Sequence, residues 1–132
     1  MDIDFRRWGV FNAVGLGGFV VQICSIALLT RHFGWPAFAA TAVALELAAL
    51  QNFVAHSRWT WRDRQTSGAG DTLRRYWRYQ VAKTASLLAN LAITTLLVHL
   101  GMNPEIANTA AVIACAIPNY LVSERLVFRQ SA

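Results

Sequence analysis

Charge is what this sequence has least of. Only 14% of its 132 residues are Asp, Glu, Lys or Arg, while 55% are apolar, and a soluble domain of this size carries nearer a quarter charged residues. An ordinary water-soluble fold is not expected. Cysteine is scarce as well: Cys24 and Cys115 both fall in apolar stretches with no second cysteine or histidine at ligand spacing, which argues against a disulfide framework or a zinc site. Gly15-Leu16-Gly17-Gly18 lacks the third glycine and the preceding strand of a phosphate-cradling loop. With no nucleophile and base pair and no metal set, neither an enzyme nor a cofactor is expected, nor is a nucleic-acid partner.

The missing charges are missing in blocks. Trp8 to Thr30 holds 23 residues without one, Thr84 to Asn103 holds 20 and Ile106 to Ser123 holds 18, while Phe33 to Ser57 is broken only by Glu46. A membrane-spanning helix takes roughly 17 to 25 mostly apolar residues, so four spans are expected at about 8–30, 35–57, 79–100 and 105–122. They leave little chain for a soluble domain. The first block follows Arg6 and Arg7 but is too long for a cleaved secretory signal, so it reads as a retained helix.

Four crossings put the N-terminus, the central loop and the C-terminus on one side. That side holds eleven of the twelve basic residues, Arg31 alone lying opposite, and such a bias predicts that both termini and the loop from about Arg58 to Arg78 face the cytoplasm. The outer turns, Arg31 to Gly34 and Gly101 to Pro104, are short and carry Gly and Pro, the residues of a tight reversal. All five tryptophans, Trp8, Trp35, Trp59, Trp61 and Trp77, fall at expected helix ends, where an indole sits well in the headgroup zone. Tyr76 and Tyr79 read as further anchors.

A shift of 67 residues lays one half of the chain on the other: Asn52 on Asn119, Phe53 on Tyr120, Arg58 on Arg125, Trp61 on Phe128, Arg62 on Arg129, with Gly34 on Gly101 and Ala44 on Ala111. Repeats of about 5–62 and 72–129 follow. Each contains an even number of crossings, so the expected fold is an all-α membrane protein of four transmembrane helices, arranged as two parallel-repeat helical hairpins. Ala40, Ala44, Ala48, Asn52 and His56 recur at i+4, as do Ala107, Ala111, Cys115 and Asn119. These are ridges of small residues on which another helix can pack in lipid, and Gly9, Ala13 and Gly17 offer a matching stripe on the first helix.

An Asn and an aromatic, followed by Arg and a further aromatic at the cytoplasmic end of the second and fourth spans, resemble the motifs of the GtrA-like proteins. The resemblance runs from about Phe5 to Arg129. It implies a bacterial inner-membrane protein of cell-surface polysaccharide synthesis that moves a polyprenyl-phosphate-linked sugar across the bilayer, or that serves the membrane glycosyltransferase using it. Carried over by position, the motif residues are Asn52, Phe53, Arg58 and Trp61, then Asn119, Tyr120, Arg125 and Phe128. The sequence departs from the pattern in Trp61 and Tyr120, where Phe is expected, and in Pro118 before the second Asn.

Independently of that resemblance, Arg58 and Arg62, and likewise Arg125 and Arg129, are four apart and on a continued helix would aim two phosphate-binding forks one way. Asn52 and Asn119 would add amide contacts to a headgroup. The plainer reading is that the arginines fix topology and meet anionic phospholipids, and that Asn119 satisfies the carbonyl of Ala114 freed by Pro118. Phe53, Trp59, Trp61, Tyr120 and Phe128 are expected as interface aromatics. Glu46, mid-span and without a repeat counterpart, is a functional-site candidate by default, either as a proton-coupled site or as a neutral acid between helices, with Lys83 as its possible partner. Asn12, Gln22, Asn90, Thr94, Thr95 and Asn108 read as interhelical hydrogen-bonding groups.

The leading expectation is therefore a small carrier of lipid-linked sugar. It would work as a homo-oligomer, because four helices enclose little room, and without ATP. The alternative is a non-transporting partner of a glycosyltransferase. A proton-coupled antiporter built on Glu46 ranks third, since it leaves the repeated motifs unexplained.

Overall fold

The computed structural model describes residues 4–129 and is helical throughout. Helix α1 spans Phe5–Ala27 and runs into a π-helical turn, Leu28–His32; α2 spans Ala37–Ala55 and ends in a second such turn, His56–Thr60. Helix α3 spans Ala69–His99, and α4 spans Pro104–Val122 with a π-helical turn, Ser123–Val127, at its end. Four segments, Phe5–His32, Ala37–Thr60, Ala69–His99 and Pro104–Val127, are long and apolar enough to cross a membrane, and the protein is a multi-pass membrane protein. The chain divides into two compact units, Met1–Gln65 and Thr66–Ala132.

In the first unit α1 packs on α2. Asp4 caps α1 by accepting the Arg7 N–H at 3.1 Å, which satisfies one of the amides a helix start leaves open. At the reversal Gly34 takes φ +68°, a value only glycine adopts without strain, and Gly101 does the same in the second unit at φ +94°. The ridge of α2 is buried at Ala40, Ala44 and Ala48. Of the stripe expected on α1, Gly17 is half-buried and faces Gln51 of α2, but Gly9 and Ala13 are exposed, and Val14 and Gly18 are the buried residues. Asn52 packs on Gly18, so close that a Cβ there would stand 2.6 Å from its Cγ.

In the second unit α3 packs on α4. Asn103 caps α4 with Pro104 in the first turn, accepting the Glu105 N–H at 3.0 Å. Ala107, Ala111 and Cys115 are buried, and Thr94 donates to Asn108 between the helices at 3.5 Å. Asn12, by contrast, donates to the Trp8 carbonyl of its own helix at 2.8 Å. The apolar stretch expected from Tyr79 is the later part of a longer helix that starts at Ala69. Thr72 closes its first turn through N–H and hydroxyl bonds to the Gly68 carbonyl, both 3.0 Å, and no proline interrupts Ala69–His99, so the polar segment Asp71–Arg78 is helical.

The π-helical turns decide where the terminal aromatics go. Trp61 N–H reaches the His56 carbonyl at 2.9 Å and Phe128 N–H the Ser123 carbonyl at 2.8 Å. Both are i to i+5 closures, which take one residue more than an α-turn. Trp61 and Phe128 are turned wholly inward at 0% exposure, and Tyr120 and Phe53 are buried too. These four are core residues rather than the interface aromatics expected from their composition. Trp59 is 66% exposed, and Tyr79 is buried as well.

Candidate functional site

The first unit brings the start of α1 against the end of α2. Arg6 and Arg7 from one side and Arg58 and Arg62 from the other line a cleft of about 490 Å³, together with Asp4 and Asp63. Arg7 reaches the Asp63 carboxylate at 3.4 Å and Asp4 at 3.7 Å, and Arg64 lies 3.9 Å from the same Asp63 oxygen. The acids thus brace Arg7, whose side chain is only 20% exposed. Four guanidinium groups against two carboxylates leave a surplus of positive charge, the complement of a phosphate. Arg58 and Arg62 are exposed. They line one cleft, but not through the continued α-helix expected of i and i+4 neighbours: Arg58 lies in the π-helical turn and Arg62 beyond it.

The turn is held from beneath by an aromatic pack. His56, 3% exposed, stacks on Phe11 with ring centroids 4.7 Å apart and lies 3.0 Å through Nδ1 from the Thr60 hydroxyl. Trp61 stands edge-on to Phe11 at 5.8 Å. Such packing fixes the backbone that carries Arg58, Trp59 and Arg62.

Deeper on α2, the Asn52 Oδ1 and Gln51 Oε1 atoms are buried with no hydrogen-bond partner among the described residues, a costly condition that calls for an explanation. Along the same helix runs an apolar groove of about 360 Å³ that shares Arg58 and Trp59 with the cleft.

The second unit treats the matching residues differently. Asn119 accepts a hydrogen bond from the Ser86 hydroxyl of α3 at 2.7 Å. Its amide oxygen is thus a link between helices. Arg75 stands over the Phe128 ring at 5.4 Å, a cation–π contact. Arg125 and Arg129 are exposed. Glu46 lies on an exposed face of α2, and Lys83 is half-buried on α3. No group of His, Cys, Asp and Glu able to hold a metal occurs among the described residues.

The sequence marks Arg6 and Arg7 only as topology signals; the structure adds both to the cleft, with Asp4 and Asp63. The one available signal was Asp63 itself, an acid in the basic run Arg58–Arg64.

A family model described as "GtrA/DPMS, transmembrane domain" matches residues 10–128. The chain is also similar to a dolichol-phosphate mannosyltransferase of Pyrococcus furiosus, with 25% identity over 118 residues, which is 89% of this chain and 32% of that protein. It therefore spans about a third of the length of the curated relative it matches.

Proposed function

The chain belongs to the GtrA/DPMS transmembrane-domain family, and from that premise we propose that it carries a polyprenyl-phosphate-linked sugar across the bacterial inner membrane for cell-surface polysaccharide or lipopolysaccharide modification. The observation that supports this reading is the four-arginine cleft at the end of α2. A guanidinium fork binds phosphate oxygens in pairs, and the excess of arginine over carboxylate there suits a lipid whose only charge is its phosphate. Asn52, packed against Gly18 of α1, lies beneath the cleft rather than in its lining.

In this reading the helices form two parallel hairpin repeats with both termini and the cleft on the cytoplasmic side, as the distribution of basic residues favours. The protein performs no covalent step. It lowers the cost of bringing a charged headgroup into the bilayer by pairing it, and works as a homo-oligomer whose copies add the room that four helices lack. Neither ATP nor a metal is needed. Glu46 is the residue available for proton coupling.

A second reading, a partner that positions a membrane glycosyltransferase, is favoured by one observation: the similar protein is named a mannosyltransferase, and the match occupies about a third of it. Reconstitution in liposomes with a labelled polyprenyl-phosphate sugar separates the two. Carriage makes the headgroup reachable from the opposite face, and an Arg58→Ala, Arg62→Ala double variant abolishes this. Absence of transfer, with co-purification of a glycosyltransferase, establishes the partner reading instead.

A further inference from the structure

The cleft and the groove on α2 adjoin, and the way they adjoin restricts what fills the groove. Leu47, Leu50 and Val54 are spaced i, i+3 and i+7, so they share one face of α2, and all three are exposed. They line the groove with Gln51 and the buried Ala55, a small residue that leaves the space open. At the rim the groove meets Arg58 and Trp59, which also line the cleft.

We propose, resting on the reading above, that this groove seats the first isoprene units of the carrier lipid, so that α2 alone holds both the phosphate and the start of its chain. Two arguments select this occupant. Arg58 lines both the cleft and the groove, so the chain of a phosphate held there begins at the groove's rim, a place that suits a chain joined to the phosphate without a spacer. A prenyl phosphate is built so; a diacyl phospholipid places glycerol and a second chain between. The other argument concerns the driving force. Bilayer tails are as apolar as leucine, so hydrophobic burial contributes nothing to discrimination and only close packing does. A methyl-branched chain against a ribbed face of Leu and Val beside a tryptophan packs differently from a straight acyl chain. Affinity then comes from the arginines and chain selectivity from the groove.

The test uses the full chain in nanodiscs and a prenyl phosphate with a photoreactive diazirine on the isoprene unit next to the phosphate. Expected is labelling of Leu47, Leu50 or Val54 that unlabelled prenyl phosphate removes at a lower concentration than phosphatidic acid does, since both offer the arginines a phosphate and only the prenyl chain fits the groove. Leu50→Trp, which fills the groove, should cut this labelling by about five-fold or more because the added indole displaces the isoprene unit. It should leave cross-linking of a phosphate-end probe near Arg58 and Arg62 intact. If Leu50→Trp does not fold, the wild-type competition result decides alone. Labelling elsewhere while the phosphate-end probe still marks the cleft overturns this inference and leaves the functional reading standing. Equal competition by phosphatidic acid, or a disulfide between copies through Val54→Cys, also overturns it, by showing a general lipid or a second copy in the groove. Failure of prenyl phosphate to bind at all defeats both.

Discussion

Replacing Arg58 by alanine removes the one guanidinium that lines both the cleft and the groove. If it forks a phosphate, the loss is that of a hydrogen bond to a charged group, about 1.5 to 3 kcal/mol, or about 10- to 100-fold in affinity for prenyl phosphate. Because Arg58 is exposed, the lower end of that range is expected. If it only gathers anionic lipid at the surface, the loss is about 1 kcal/mol, close to five-fold. Arg58→Lys keeps the charge but not the fork and should recover part of the loss. Arg125→Ala tests the corresponding place in the second unit, where Asn119 already accepts from Ser86 and Arg75 covers Phe128; its effect should stay near five-fold or below. The assay is titration of a fluorescent prenyl phosphate into nanodiscs at two salt concentrations. Equal losses for Arg58→Ala and Arg125→Ala, or complete rescue by lysine, would refute a phosphate fork at the first unit.

Gly18→Leu should lower thermal stability in detergent by about 1 to 3 kcal/mol through overpacking against Asn52, whereas Gly15→Leu, with open space around it, should change little. Trp61→Ala should cost about 3 to 5 kcal/mol as a large-to-small change at a fully buried site. Trp59→Ala, at the exposed neighbour, should leave the melting temperature close to wild type. Gly101→Ala, at φ +94°, should destabilise by about 1 kcal/mol or more from backbone strain alone, read by the same melting assay.

The apolar blocks were legible because lipid imposes a length and a composition on whatever crosses it. The small ridges Ala40–Ala44–Ala48 and Ala107–Ala111–Cys115 were legible because close helix contact in lipid demands small residues at i+4. The facing stripe on α1 was legible only in part: of Gly9, Ala13 and Gly17, only Gly17 meets α2, at Gln51, and its neighbour Gly18 meets Asn52. Trp61 and Phe128 could not be placed by composition: an aromatic at a helix end looks the same whether it meets headgroups or turns inward, and the π-helical closures that turn these two, His56–Thr60 and Ser123–Val127, appear only in the structure. The polar start of α3 was hidden for the opposite reason, because a search for membrane spans stops where charge begins. Arg6 and Arg7 became part of a site through tertiary contact with a segment some fifty residues away, which no local pattern reveals.

The central claim is that Arg58 and its cleft hold a lipid phosphate. Rotational-echo solid-state NMR between the Arg58 guanidinium carbon and the phosphorus of bound prenyl phosphate measures it directly. A forked pair places those nuclei about 4 Å apart, so strong dephasing is predicted at Arg58 and little at Arg125. Dephasing at Arg125 with none at Arg58 would contradict the claim.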